Sequence, residues 1–184
     1  MGKKGMATRS ALIASTQTLI ESAGYFGTGL NQVLADSGAP RGSLYFHFPG
    51  GKDELVCEAI RQAGEGIEAI IDTIEAADTG ELMTNLLRVL GQRLEESEWN
   101  QGCPVATVAL ETSATNNTIQ QACSAAYSNW HRTIRDRLEA DGHAGTNDMA
   151  TFLLAVVEGA MLLARTHRSI EPLAAASRVV NTVL

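Results

Sequence analysis

The chain has 184 residues, of which 45% are hydrophobic, and a formal net charge of −7. This length accommodates a sizeable core, and the acidic balance excludes a protein covered in basic surface. The charge is unevenly placed, because residues 1–53 carry five basic and three acidic side chains, whereas residues 54–184 carry nine and eighteen. This asymmetry favours an N-terminal part that faces a polyanion, carried on an acidic body.

Three features indicate a cytoplasmic protein that does not enter a membrane. Residues 1–11 lack the apolar segment of a secretory signal peptide. The longest apolar stretch, residues 149–164, is shorter than a membrane span and contains Glu158. The three cysteines form no CxxC pair, as is typical of reduced thiols in the cytosol.

The N-terminal part shows three helical patterns. Apolar periodicity predicts helices over about 7–23, 29–36 and 40–46. Thr8 and Thr28 are the predicted N-caps of the first two helices, and Gly24 and Gly38 are their predicted ends. Pro40 suits the first turn of the third helix. Two short helices joined by a glycine turn predict a helix-turn-helix.

The rest of the chain predicts a larger helical body. A long helix is predicted over about 52–76, with Gly64 and Gly66 as weak points. Further helices are predicted over about 79–97, 104–113, 116–140, 147–166 and 170–183. No stretch shows the period of two that marks a strand. The prediction is an all-α protein, with a three-helix domain at residues 1–51 joined by the long helix to a domain at residues 52–184.

The segment GAPRGSLYFHFPGGKDEL, residues 38–55, is the candidate DNA-reading element. Leu44 and Phe48 lie four residues apart on one helix face, so they are predicted to anchor the helix in the core. Side chains away from that stripe can reach DNA, and Arg41 can form two hydrogen bonds with a guanine edge. Burial in the core is an alternative for Phe46, and Tyr25 is expected to pack against the first helix.

Other residues near this segment are candidates for backbone contacts. The Thr28 hydroxyl, the amides beginning the second helix and the Lys52 ammonium are predicted to bind phosphate. Gly42 would let the protein backbone approach the duplex closely. Tyr45 and His47 are predicted to donate to phosphate or to touch a thymine methyl. The predicted DNA-binding residues are Thr28, Gly29, Arg41, Gly42, Ser43, Tyr45, His47 and Lys52.

The order and spacing of short motifs resemble the DNA-binding domain of TetR-family (tetracycline-repressor-like) regulators. The motifs lie between residues 7 and 56: Thr8, Leu12-Ile13, Gly24-Tyr25, Thr28-Gly29, Ala35, Gly38, the run from Gly42 to Phe48, and Lys52-Asp53 followed by Leu55. GSLYFHFPGGKDEL, together with GCPVATVALE at residues 102–111, is similar to the LmrA/YxaF-type branch. Ala39-Pro40-Arg41 and an extra glycine before Lys52 depart from the family pattern, which affects the expected operator sequence and not the fold.

The resemblance implies that residues 52–184 form a ligand-binding and dimerisation domain. The last two helices are apolar nearly all round, and Val156, Gly159, Ala160 and Leu163 offer a contact face of small side chains. Two such helices from each subunit predict a four-helix bundle about a twofold axis. A homodimer of this kind would bind a near-palindromic double-stranded operator. Packing of these helices within one subunit only is the alternative.

The central helices hold the candidate ligand site, because a helical body with an apolar cavity and a few polar groups commonly binds small molecules. The candidates are Trp99, Cys103, Thr107, Glu111, Tyr127, Trp130, His131, Glu158 and Met161. Each also has a structural interpretation as a core or surface residue. The resemblance implies a planar, hydrophobic, drug-like or flavonoid-like effector. Cys103 precedes a predicted helix, a position that favours a thiolate, so redox sensing is an alternative to an inert cysteine.

The predicted function is a ligand-responsive transcriptional regulator, most simply a repressor released by a small hydrophobic effector. The alternative is a helical small-molecule-binding or interaction module that does not bind DNA. An enzyme is not expected, because the HExxH, P-loop, GxSxG and dinucleotide fingerprints are absent from the sequence. No cofactor or metal is expected, since the histidines lack ligand spacing with the cysteines.

Overall fold

The computed structural model describes residues 2–184, apart from the side chain of Lys3, and this part of the chain is all-α. Its nine helices are α1 (Lys3–Gly27), α2 (Leu30–Ser37), α3 (Arg41–His47), α4 (Lys52–Thr73), α5 (Thr79–Glu96), α6 (Pro104–Thr112), α7 (Asn117–Ala140), α8 (Thr146–His167) and α9 (Glu171–Val183). Every predicted helix is present, and the ends of all but α1 are close to those expected. The fold class predicted from the sequence is confirmed.

Helix α1 differs from the prediction at both ends. It begins after Gly2 rather than at Thr8, whose hydroxyl lies inside the helix and donates to the carbonyl of Lys4 at 3.1 Å. Gly24 interrupts the helix as predicted, with φ 70° and ψ −171°, but one more turn follows it. That backbone conformation is accessible essentially only to glycine. The extra turn places Tyr25 and Phe26 beyond the kink.

Helices α2 and α3 form the predicted helix-turn-helix. Val33 buries the inner face of α2, and Gly38 ends that helix in the left-handed region with φ 63° and ψ 14°. Pro40 caps α3, and its carbonyl accepts the Ser43 N–H at 2.9 Å. A glycine at the end of one helix and a proline before the next produce the tight turn between them.

The chain forms two compact units that do not follow the predicted boundary at residue 51. The first contains residues up to Ala63 together with Pro104–Ala126, and the second contains Gly64–Cys103 and Tyr127–Leu184. In the first unit α1 packs against α2, α3 and α6. The first turns of α4, all of α6 and the start of α7 therefore belong with the helix-turn-helix.

The second unit has its own core between α5, α8 and α9. Its buried side chains include Leu82, Met83, Leu86, Leu87, Leu90, Leu94, Leu153, Val157, Ala160, Ala164, Leu173 and Val180. Ala160 was predicted to lie on a contact face, and the structure instead buries it in this core. By length and composition α8 could cross a membrane, but core helices pass the same test and 33% of its most apolar stretch is buried.

Candidate nucleic-acid interface

The short helix α3 is fixed to its domain by two buried side chains. Leu44 and Phe48 each expose only 1% of their surface, which confirms the predicted anchors. Arg9 of α1 lies over the Phe48 ring, with its guanidinium carbon 5.2 Å from the ring centroid. The same guanidinium forms an ion pair with Glu58 of α4 at 3.0 Å. The end of α3 is therefore held from α1 and α4 together.

The opposite face of α3 projects into solvent. Arg41 and Gly42 are exposed, as predicted, and Tyr45 is 57% exposed. Burial was an alternative for Phe46, and its ring is instead 72% exposed. A large exposed ring beside an exposed tyrosine is unusual on a solvated helix and typical of a surface that meets another molecule. Its exposure could have been predicted from the sequence, because Phe46 lies outside the buried stripe formed by Leu44 and Phe48.

Two polar residues of α3 are less free than predicted. The Ser43 hydroxyl donates to the Pro40 carbonyl at 2.6 Å, so its proton is used within the helix. The ring of His47 is half-buried, with its centroid 5.0 Å from that of Phe46 and 6.5 Å from that of Phe48. Both side chains can still accept a hydrogen bond or change conformation at an interface, but both are less exposed than Arg41.

Thr28 corrects the sequence prediction. It is the C-cap of α1 rather than the N-cap of α2, and only 1% of its surface is exposed. Its hydroxyl donates to the Gly24 carbonyl at 2.7 Å, which satisfies an open carbonyl at the kink. Gly29 is the N-cap of α2 and is exposed, so the free amides of this helix start are the accessible donors.

Lys52 also faces inward. Its ammonium donates to the Tyr25 carbonyl at 2.6 Å and lies 4.2 Å from the centroid of the Tyr25 ring. Partial burial lowers the pKa of this ammonium. The group predicted to bind phosphate thus serves a contact between α4 and α1.

Charge is distributed between the two units as the sequence asymmetry suggested. Counted over the residues of each unit, the first carries six basic and six acidic side chains, and the second carries eight and fifteen. The whole net charge of −7 therefore belongs to the second unit. The neutral first unit presents Arg41 at its surface, on the face of α3 that also carries the exposed rings.

An exposed helix, anchored by two residues four apart and preceded by a capped short helix, is the geometry of a helix-turn-helix. The matches to known proteins agree with it. Residues 79–179 match the family model described as the C-terminal domain of LmrA/YxaF-like transcriptional regulators. The chain belongs to the TetR family of transcriptional regulators.

The TetR-family relatives extend over nearly the whole chain. The HTH-type transcriptional regulator LmrA of Bacillus subtilis is 35% identical over 181 residues, covering 96% of each chain. The uncharacterised HTH-type regulator YxaF of the same organism is 30% identical over 170 residues, covering 90% of this chain and 89% of that protein. A TetR regulator from Chloroflexus aurantiacus has a crystal structure that superposes with a TM-score of 0.85 at 25% identity, covering 98% of this chain and 96% of its own.

In this TetR-family chain, three of the predicted ligand residues come together in the second unit. The carboxyl group of Glu158 accepts hydrogen bonds from the Cys103 thiol and the Tyr127 hydroxyl. Burial raises the pKa of Glu158, and these two hydrogen bonds oppose that rise without cancelling it. Trp99 and Met161 are partly buried against the core of the same unit.

Other predicted ligand residues have structural partners. Trp130 is only 4% exposed and donates its indole N–H to the Gly64 carbonyl at 3.0 Å, which makes it a core residue. The His131 ring lies 3.0 Å from the Asn147 carbonyl and 3.1 Å from the Thr151 hydroxyl. Thr107 and Glu111 belong to the first unit, where the Glu111 carboxylate accepts the Phe26 N–H at 3.0 Å.

A polar recess of about 380 Å³ also lies in the second unit. Asp78, Asp141, His143 and Asn181 line it, and none of the predicted ligand residues does.

Proposed function

We propose that this TetR-family regulator binds a near-palindromic operator as a homodimer, represses transcription there and is released by a small hydrophobic effector in the cytoplasm. The observation that carries the DNA-binding part is the division of α3 into a buried and an exposed face. Leu44 and Phe48 are buried, whereas Arg41, Tyr45 and Phe46 project outward. A recognition helix needs this division, because the same short helix must hold its domain and reach base edges.

The roles on DNA follow from the chemistry of each exposed group. Arg41 is assigned to a guanine edge, where a pair of hydrogen bonds contributes about 1–3 kcal/mol of base discrimination. Tyr45 is assigned to a phosphate or a thymine methyl. Phe46 is assigned to backbone sugars and thymine methyls, since its bare phenyl ring offers no hydrogen bond. The amides that begin α2 after Gly29 are assigned to a phosphate. The Thr28 hydroxyl and the Lys52 ammonium keep their internal partners and position the domain.

The DNA assignment is tested on a duplex enriched from a random pool by the wild-type protein. Arg41→Ala should lose most of the preference for that duplex over random DNA while random DNA stays bound. Arg88→Ala removes the same charge from an exposed position of α5 and is the matched control. Enrichment of no sequence by the wild-type protein would refute operator binding, and equal weakening of both duplexes by Arg41→Ala would refute its base-reading role.

The homodimer proposal rests on exposed apolar side chains of α8 and α9. Phe152, Leu162 and Leu163 are exposed on α8, as are Val179 and Val183 on α9. Gly159 lies exposed on α8 with nothing within 4 Å of an added Cβ. Two subunits that pair these helices would place their recognition helices about 34–36 Å apart, in successive major grooves.

The oligomeric state tests this surface directly. Leu163→Glu should convert a dimer into a monomer in sedimentation equilibrium, because a charge would be buried at the proposed contact. Leu110→Glu makes the same change at a more exposed leucine of α6 and should leave the mass unchanged. A dimer that survives Leu163→Glu would exclude this face.

The effector proposal centres on Glu158, Cys103 and Tyr127. A half-buried carboxyl with a thiol and a phenol beside it supplies the few oriented polar groups that a largely apolar ligand site uses. Glu111 and Trp130 are left out of the site because their polar groups serve the contacts described above. An effector that binds the DNA-incompatible form more tightly would release the operator through that difference in affinity alone.

A panel of planar aromatic compounds tests the effector site by release of the bound operator. Glu158→Ala should shift the releasing concentration of any active compound, whereas Glu171→Ala, at an exposed carboxylate of α9, should not. Equal responses of the two variants would exclude Glu158 from the site.

A further inference from the structure

One carboxylate in the first unit joins three separate parts of the chain. Asp53 is the second residue of α4, and its Oδ1 accepts the Tyr25 hydroxyl of α1 at 2.6 Å. Its Oδ2 accepts the side-chain amide of Asn116 at 2.8 Å. Asn116 lies in the turn between α6 and α7. Hydrogen bonds to an ionised carboxylate are among the stronger ones in proteins, so this junction is a well-defined tie.

The amide of Asn116 is itself held in one orientation. Its Oδ1 accepts the Ile119 N–H at 3.1 Å, which caps the first turn of α7. Its backbone N–H donates to the Thr112 carbonyl at 2.8 Å at the end of α6. With the oxygen committed to the cap, the amide nitrogen must face Asp53. The donor is therefore carried by the α6–α7 turn itself.

Tyr25 is held as firmly on the other side. Its carbonyl and its ring both contact the Lys52 ammonium, and its hydroxyl donates to the neighbouring Asp53. The hydrogen bond to Asp53 is the largest cause that raises the pKa of Tyr25 to about 12, so the phenol stays a neutral donor. The residue that follows, Phe26, donates its N–H to Glu111 of α6 at 3.0 Å. The turn of α1 beyond Gly24 is thus fastened to α4 and to α6.

The start of α4 is in turn closely coupled to the recognition helix. The Gly51 N–H donates to the Phe48 carbonyl at 2.9 Å, and the Leu55 N–H donates to the Gly51 carbonyl at 3.2 Å. The Gly50 N–H donates to the Glu54 carboxylate at 2.7 Å. These bonds close the connection from α3 to α4 into a tight turn. A displacement of Asp53 would therefore also displace the end of α3.

We propose that Asp53 is a positioning residue for DNA binding, which sets the orientation of α3 by tying the α3–α4 junction to Tyr25 and to the α6–α7 turn through Asn116. The inference rests on the proposed operator binding of α3. Asp53 itself touches no DNA in this scheme. We expect Asp53 to strengthen operator binding through this positioning, although its negative charge near a polyanion would by itself weaken binding.

The first test uses these two opposite effects of Asp53 on DNA affinity. Asp53→Asn keeps the shape, but its amide has only one acceptor oxygen for the two donors Tyr25 and Asn116, so one charged hydrogen bond is lost and affinity for the enriched duplex should fall about tenfold. Affinity for random DNA should stay constant or rise, since a negative charge has been removed. Asp36→Asn makes the same charge change at an exposed residue of α2 and should lower neither affinity.

The second test exchanges the two partners. Asn116→Asp alone should also weaken operator binding, because two carboxylates would face each other. The double variant Asp53→Asn/Asn116→Asp restores one donor and one acceptor, and it should return operator affinity to within about threefold of the wild type. Asn117→Ala, at the exposed neighbouring asparagine, is the control and should bind normally.

The outcomes separate this inference from the proposed function. A wild-type protein that enriches no duplex refutes operator binding. If the wild type binds, the positioning role is overturned when Asp53→Asn binds the operator as well as the wild type, or when the exchange binds no better than the weaker single variant. If Asp53→Asn or Asn116→Asp fails to fold, as judged by thermal unfolding, Asn116→Ala tests the same tie without a change of charge. It should lower the affinity for the operator and not that for random DNA.

Discussion

The glycine at the kink of α1 permits a quantitative test of the structure. Gly24 has a backbone conformation that costs other residues about 1–3 kcal/mol. A Cβ at this position would also lie 2.2 Å from Oε1 of Glu111 and 2.7 Å from its Cδ. The carboxylate would have to leave the Phe26 N–H, which forfeits an exposed hydrogen bond of about 1 kcal/mol. Gly24→Ala should therefore lower the free energy of unfolding by about 2–4 kcal/mol.

The chain supplies a matched control for the backbone part of this cost. Gly38 also has a positive φ, 63°, but nothing lies within 4 Å of an added Cβ, so Gly38→Ala should cost only about 1–2 kcal/mol. Urea unfolding followed by far-ultraviolet circular dichroism measures both variants. In a Glu111→Ala background the cost of Gly24→Ala should fall by about 1 kcal/mol, because the clash is gone and the strain remains. Equal costs at the two glycines, or the same Gly24→Ala cost in both backgrounds, would refute the reasoning.

Three further predictions concern single side chains. Gly42→Ala should leave stability unchanged or slightly higher, because an added Cβ meets nothing within 4 Å. If the backbone of α3 meets DNA, the same change should weaken operator binding about tenfold. Gly66→Ala, in equally open space on α4, is the control. Arg61, Gln62 and Arg9 lower the pKa of Glu58 to about 2, so Glu58→Gln should destabilise the protein at neutral pH, with the difference vanishing as the pH falls below 4.5 toward 2. Burial raises the pKa of Glu158, which gives the opposite sign: Glu158→Gln should stabilise the protein at neutral pH, and the gain should shrink as the pH falls toward 4.5. Thermal unfolding of each variant across pH measures the last two, and parallel pH curves for variant and wild type would contradict either.

The sequence alone determined the fold class, the helix order and the anchored face of α3. These properties depend on neighbouring residues. Gly38 and Pro40 end one helix and begin the next through their own backbone preferences. Leu44 and Phe48 share a face because they are four residues apart, whatever they pack against. The motif order from Thr8 to Leu55 carried the family resemblance.

Only the tertiary structure decided which polar groups face outward. Thr28 and Lys52 belong to the motif that resembles a DNA-binding domain, yet both side chains bond to carbonyls of the α1 kink. Trp130 was a ligand candidate by residue type until its indole N–H proved to bond to Gly64, 66 residues earlier. Such partners are distant in sequence, so no local sequence pattern predicts these contacts.

The division into units shows the same limit. A boundary at residue 51 follows from the change in charge and periodicity along the chain, but α6 and the start of α7 pack with the helix-turn-helix. The tie from Asn116 to Asp53 spans 63 residues and depends on a side-chain orientation set by the cap of α7. Local sequence determined each helix of this protein. The contacts between the helices depended on which distant helices share a surface, because burial and hydrogen-bond pairing are decided between elements and not within them.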